Sequence, residues 1–291
     1  MIYDIRLVTF STYENDVPFA RHVLRLTPTD RPGQRVVSFS LEVEPHSSAL
    51  QGGRDFFGNE ATAVACLEPH RRFTARATAR VEVDAPPARE GRGPSWEEVA
   101  ALALASRDLT PQAPAHFLYP SRMVGVFDFI RDYAAQSFPP VAPIRDGAID
   151  LMNRLHRDIL YDSDATDAAT RPEEAFALRR GVCQDYAHIM IAALRALGLP
   201  AAYVSGFIRT NPPPGHPRRE GADSMHAWVS VWCGPDLGWL ALDPTNALIV
   251  TDEHVIIATG RDYADVAPLD GVIVTTGGQG AVDVVVDMAP V

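Results

Sequence analysis

The stretch 179-RRGVCQDYAHIMIAALRALGLPAAYVSGFI-208 decides how the chain is read. From Cys183 the small or apolar positions Ala187, Met190, Ile191, Leu194 and Leu197 recur at helical spacing, and Gly198 and Pro200 stop the pattern. Gly181 suits a tight turn just ahead of it. The spacing therefore predicts a helix whose first turn carries a cysteine. Unpaired N–H groups and the positive end of the helix dipole lie there and favour an anion, of which a thiolate is one. A cysteine in isolation is more often an inert core thiol, so the reading depends on its company.

Two later stretches supply that company. The strand pattern 226-HAWVSVW-232 begins with His226, 43 positions after Cys183, and 239-WLALDPTN-246 carries Asp243, 17 positions further on. If these strands pair through the turn CGPDLG, His226 and Asp243 come side by side. A carboxylate there would fix the imidazole tautomer and stabilise its charged form, and the imidazole would take the proton from Cys183. Singly, His226 reads as a strand-end residue and Asp243-Pro244 as a turn starter. The three together are a much rarer coincidence.

Outward from this segment the chain divides in two. Residues 1 to about 84 show period-two stretches, as in HVLRLTP, QRVVSFSLEVEP and RFTARATARVEVDAP, separated by TPTDRPG and LQGGRD. They predict a small all-β domain. APPAREGRGPS reads as a linker, which puts the division at 1–88 and 89–291. Helical patterns follow in SWEEVAALALASRD (with Ser95 as N-cap), VGVFDFIRDYAAQSF and IRDGAIDLMNRLHRDI. Strands resume at AAYVSGFI, HAWVSVWC, GWLALDPT and HVIIATG. The second part is thus α+β, helices first and antiparallel strands after.

Composition removes several classes. The chain has 291 residues and a net charge of −11, which argues against nucleic acid and anionic membrane as partners. All 26 basic residues are arginine, so a lysine phosphate loop, Schiff base or lysine general base is impossible. MIYDIRLVTFSTYEND has no apolar run of signal-peptide length, and nothing approaches the ~20 apolar residues of a membrane span. Cys66, Cys183 and Cys233 are too few and scattered for a disulfide framework, which points to a reducing cytoplasm.

A metal site built from Cys183, His188, His226 and Cys233 fails on geometry. Cys183 and His188 are five apart, ~140° around a helix, and His226 and Cys233 are seven apart, on opposite faces of a strand. Cys66 and Cys233 read as core thiols. Arg179 and Arg180 are a helix-flanking pair that could support a thiolate, and Asp185 is a first-turn residue of structural kind. The polar loop 210-TNPPPGHPRREGADSM-225 fits a substrate rim and an ordinary surface excursion about equally.

RRGVCQDYAHIMIAALRALGLPAAYVSGF, HAWVSVW and GWLALDPTN together resemble the transglutaminase-like superfamily of papain-like thiol enzymes, in particular its bacterial branch with a leading β domain. HVLRLTPTDRPGQ, DFFGNE and LEPHRRF resemble that domain, and GRDYADVAPLDGV matches later, so the resemblance covers nearly the whole chain. It implies a papain/transglutaminase-like core in which the cysteine helix packs on an antiparallel sheet or open barrel. It implies Cys183 as nucleophile, His226 as general base and acid, and Asp243 as orienting carboxylate, with no cofactor. The implied substrate is a peptide or protein bearing a carboxamide or peptide bond, with water or an amine as acceptor. No calcium-loop motif is present, and no metal requirement is expected. The Cys183 N–H is one oxyanion donor; Gln184 and Tyr203 are candidates for a second. The other reading is a non-enzymatic binding or scaffold module that keeps this fold, and a complete Cys–His–Asp set favours the enzyme.

Overall fold

The computed structural model describes residues 1–85, 91–210, 223–278 and 280–291. Residues 86–90 of the linker read at 85–95, and the stretch 211–222 of the loop before His226, lie outside the described residues.

The N-terminal part is all β: β1 (Ile2–Val17), β2 (Phe19–Leu24), β3 (Gln34–Glu44), β4 (Ala49–Arg54), β5 (Glu60–Cys66) and β6 (His70–Val83). In β1 the alternation Tyr3, Ile5, Leu7 buries one face, as period two requires. The second part opens with α1 (Trp96–Ala105), where the Ser95 hydroxyl accepts from the Glu98 N–H as an N-cap. There follow α2 (Asp128–Ala135), α3 (Ile144–Asp158), β7 (Leu160–Tyr161), α4 (Pro172–Leu178), β8 (Arg180–Gly181) and α5 (Cys183–Ala196). After them come β9 (Ala201–Ile208), β10 (Met225–Trp232), β11 (Trp239–Asp243), β12 (Leu248–Ile249), β13 (His254–Gly260) and a short α6 (Tyr263–Val266). Two last strands, β14 (Leu269–Val274) and β15 (Gly280–Pro290), end the chain.

Helix α5 is the centre of the second part. From Asp185 to Arg195 every residue is buried, because β9 and β10 cover one side and α2, α3 and α4 the other. The strands form an antiparallel sheet in the order β12-β11-β10-β9-β13. Arg195, buried near the end of α5, donates to the carbonyls of Phe117, Tyr119, Ala201 and Arg261 and to the Ser121 hydroxyl. Five donors in a planar fork gather three separate chain segments onto one helix. The protein is therefore α+β, an all-β part followed by a helix-plus-sheet core with the cysteine at the start of the central helix.

The path of the chain at its end departs from a simple division at 88/89. Strand β15 pairs with β1 from Tyr3↔Pro290 to Tyr13↔Gly280, and β14 pairs with β2. The sheets are thus β15-β1-β6-β3 and β14-β2-β5-β4. His22 of β2 stacks on Phe73 of β6 with ring centres 4.2 Å apart, so the two sheets face each other as a sandwich. The last 20-odd residues complete this sandwich, and the chain leaves and re-enters it around the helical part.

The sandwich and the five-stranded sheet are joined at β13, the sheet's outer strand. Gln34 donates to the Ile256 carbonyl (2.9 Å) and accepts from the Ile256 N–H (2.8 Å). Asn59 does the same at Thr259, at 2.8 Å in both directions. Side-chain amides stand in for a missing neighbour strand and satisfy an edge that would otherwise be bare. Among the described residues no helix is long and apolar enough to cross a membrane.

Met288 of β15 is fully buried in the common core. Met288→Ala should lower the unfolding free energy by about 2–5 kcal/mol in urea titrations. A change below about 0.5 kcal/mol would contradict the placement of β15 inside the sandwich.

Candidate active site

The site is built where three elements end together: the first turn of α5, the start of β10 and the end of β11. Gly181 lies just ahead of α5 because the Asp185 carboxylate folds back against it, leaving no room for a Cβ. That carboxylate accepts from the Val182 N–H (2.8 Å) and from the Thr166 hydroxyl (2.6 Å). It ties the start of α5 to the loop after β7, and burial raises its pKa. Asp185 thus holds the helix start in place, a structural role. Arg180 pairs with Asp162 at 3.1 Å, and Arg179 lies over the Phe176 ring at 4.0 Å.

Cys183 projects from this fixed start toward β10, where its thiol reaches the Met225 carbonyl at 4.0 Å. It is half-buried, whereas Cys66 and Cys233 are closed off in the interior and all three are unbridged. Burial also pushes the Cys66 thiol up.

Strands β10 and β11 pair through the turn at 233–238, with Val229 opposite Leu242. One step along, Asp243 falls beside Trp228, and His226, two residues further, reaches back across the diagonal. His226 Nε2 lies 2.7 Å from Asp243 Oδ2. Cys183 lies against the residue that precedes this histidine and helps raise the imidazole's pKa. The structure therefore brings together the three residues singled out from the sequence.

Asp243 is fully buried, and every direction around it carries a donor. The Thr245 and Asn246 N–H groups donate to Oδ1 at 2.9 and 3.1 Å, as the DPTN turn wraps the carboxylate. The Asn246 side chain donates to Oδ2 at 2.8 Å, and His254 Nε2 approaches Oδ2 at 3.4 Å. Burial alone would raise this carboxyl, but the bonds from His226, His254 and Asn246 outweigh it and hold it well below the usual carboxylate range. At His226 burial acts downward from 6.5, and the bond to Asp243 and then Cys183 overcome it, giving about 9. The site thus favours a charged imidazole beside a charged carboxylate.

His226, Asp243 and His254 form a cluster whose ligand atoms lie within 4.8 Å of one another. Two ligands of one tetrahedral zinc, each about 2.0–2.1 Å from it, stand roughly 3.3 Å apart. The 2.7 Å between His226 and Asp243 is closer than that and matches a charge-assisted hydrogen bond. His188 lies elsewhere, buried in α5 and accepting from the Tyr263 N–H at 3.1 Å. Cys233 donates to the Val231 carbonyl.

Of the two candidate oxyanion donors, the Gln184 amide is committed to the Ala168 carbonyl at 3.0 Å. Tyr203 is buried against His188, and burial holds its phenol proton firmly. The Cys183 N–H, at the first position of α5, has no intrahelical acceptor. The GRDYADV segment closes the core: Asp262 accepts from the Met123 and Ala264 N–H groups. Tyr263 and Ala168 also line a pocket beside Arg122, Arg171 and Asp270. His254 and Asn246 were not singled out in the sequence. A histidine that opens a strand, as His226 does, is the signal His254 carried.

The bacterial transglutaminase-like N-terminal region matches residues 3–82, and the transglutaminase-like superfamily matches residues 132–244. An uncharacterized protein of Mycobacterium tuberculosis is 39% identical over 272 residues, covering 91% of this chain and 85% of its own length. A protein-glutamine gamma-glutamyltransferase of Pseudomonas aeruginosa is 40% identical over 83 residues, which are 28% of this chain and 12% of that protein. A crystal structure from Cytophaga hutchinsonii, provisionally assigned as a cysteine protease, superposes with a TM-score of 0.76 at 21% identity, covering 99% of this chain and 90% of that one. At that identity the likeness concerns the fold.

Because the folded protein raises His226 from 6.5 to about 9, it binds a proton there that the unfolded chain gives up earlier. The resulting stabilisation is fully present below about pH 6.5 and is lost as the pH rises through about 9. Urea unfolding of wild type against His226→Gln should show the wild-type advantage, a few kcal/mol near pH 6, shrinking toward pH 10. An advantage that grows with pH would contradict the charged imidazole.

Proposed function

The chain belongs to the transglutaminase-like superfamily, and from that membership we propose that it is a thiol-dependent acyl-transfer enzyme acting on amide or peptide bonds. The observation that carries the proposal is the 2.7 Å bond between His226 Nε2 and Asp243, with the Cys183 thiol against the Met225 carbonyl just before that histidine. Asp243 occupies Nε2, so the proton exchanged with the thiol passes through Nδ1.

In the proposed reaction the Cys183 sulfur adds to the carbonyl carbon of the substrate, and His226 holds the thiol proton. The oxyanion that forms meets the Cys183 N–H at the start of α5. Collapse breaks the C–N bond, His226 gives its proton to the departing nitrogen, and a thioester remains on Cys183. Water or an amine then adds to the thioester and passes its proton to His226. Collapse of the second adduct breaks the C–S bond and restores the thiol. Asp243 keeps the ring oriented and stabilises its charged form throughout. Hydrolysis and amine transfer share the first half and differ only in the second nucleophile. A nucleophilic thiol and three unbridged cysteines suit a reducing compartment, and we assign the protein to the cytoplasm.

The substrate is a peptide or protein with an accessible carboxamide or peptide bond. Two families of donors, glutamine peptides and backbone peptides, with and without an added primary amine, separate the two outcomes. On a donor that turns over, Cys183→Ala and His226→Ala should abolish turnover while circular dichroism stays native. Asp243→Asn should lower kcat on the order of 10⁴-fold, as in the serine-protease triad. Wild-type rates in any of the three would refute the assignment.

A further inference from the structure

We propose that His254 is a positioning residue for this reaction and that the N-terminal sandwich sets its place through Gln34. The proposal rests on the roles of Cys183, His226 and Asp243 given above.

A charged carboxylate only accepts, so the His254 nitrogen that faces Asp243 Oδ2 at 3.4 Å carries a proton and donates. His254 is 2% exposed, and its Nδ1 has no partner among the described residues. The ring lies edge-on to buried Trp228 at 5.1 Å, and Trp228 in turn lies beside His226 at 5.9 Å. His254 is therefore buried away from solvent, and its hydrogen bond into the site goes to Asp243, with the His226 ring centre 6.2 Å away. With Oδ1 held by two backbone N–H groups, the donors at Oδ2 set the plane of the carboxylate and keep it ionised. His226 then meets a full charge in a fixed direction.

What fixes His254 is the strand it opens. It lies opposite Ile208 of β9, and among the described residues β13 has no strand on its other side. Gln34 fills that place two residues on, bonding both the N–H and the C=O of Ile256. Its amide also donates to the Thr29 carbonyl at 3.0 Å, so the clamp is itself anchored in the sandwich. At about 3.3 Å per residue the clamp stands ~7 Å along the strand from His254. The register of β13 shifts between Ile256 and Ala258, and the second clamp, Asn59 on Thr259, lies beyond that irregularity. Each side of the bulge is pinned separately, and Gln34 pins the side that carries His254. The sandwich thereby bears on the candidate site without lining it.

The test is the rate of Cys183 alkylation by iodoacetamide across about pH 5–10, read by peptide mapping, which needs no substrate. The titratable groups that face His226 are Asp243, Cys183 and His254, the last both through its bond to Asp243 and with its own ring centre 6.2 Å away. In His254→Phe the alkaline limb, where His226 loses its proton, should move about one pH unit toward acid, a tenfold change in proton affinity. His254→Gln, whose amide donates from nearly the same point, should restore most of the shift. Gln34→Leu should move the limb in the same direction by less. A purely structural role would lower the melting temperature and leave the limb where it was. An unmoved limb in His254→Phe, or an equal shift in His254→Gln, would overturn the proposal. Should His254→Phe fail to fold, ¹H–¹⁵N correlation on the wild type decides: the Nε2–H tautomer supports it and the Nδ1–H tautomer overturns it. A wild-type limb that survives His226→Ala unchanged would instead count against the triad itself.

Discussion

The buried hydrogen bond between His226 and Asp243 constrains the rest of the structure. An ionised carboxylate with no exposure is tolerated only when donors surround it. The turn after β11 must therefore fold back so that Thr245 and Asn246 point their N–H groups at Oδ1. Strands β10 and β11 must also keep one register, since a slip of one residue would send His226 or Asp243 to the other face. The opposite Gly206 on β9 follows from the same requirement. A Cβ there would run first into the Val255 carbonyl of β13 and then into Trp228, whose ring packs beside both histidines. Finally α5 must begin where the imidazole is, and the Asp185 cap with Arg195 at the other end fixes the helix at both ends.

The sandwich and the helical part share that task. The first strand and the last lie side by side from Tyr3 to Tyr13, so the two ends of the chain are held together. Between them, Gln34 and Asn59 extend the order of the sandwich to the outer edge of the five-stranded sheet. Tyr3 adds a bond to the Asp252 carbonyl at 3.1 Å, just before β13 begins. The strand that carries His254 is thus held from the outside by a second layer of structure.

Much of the site could be read from residue order because its signals are local. A helix that begins at Cys183 shows in Ala187, Met190, Ile191 and Leu194, and the hairpin through 233–238 shows in CGPDLG between two strand patterns. Placing His226 beside Asp243 needs only that hairpin. What stayed hidden depends on contacts between distant segments. LDGVIV and GAVDVVVDMAP have the β-branched content of strands, yet nothing in them says that they pair with β2 and β1. His254 opens a strand that was legible as HVIIATG, but its approach to Asp243 depends on β13 crossing to the far side of β9. Gln34 looks like any polar residue at a strand start, and only the assembled edge shows what its amide does. Gln184 misled in the opposite direction: adjacent to Cys183 in sequence, its amide is taken up by Ala168.

The covalent intermediate tests the account most directly. Wild-type protein would be mixed with a glutamine or peptide donor, quenched in acid within one turnover, and mapped by mass spectrometry. The account predicts an acyl group in thioester linkage on Cys183, released by hydroxylamine and absent in Cys183→Ala. Turnover of the donor with no acyl group on Cys183 at any quench time, or an acyl group on another residue, would contradict it.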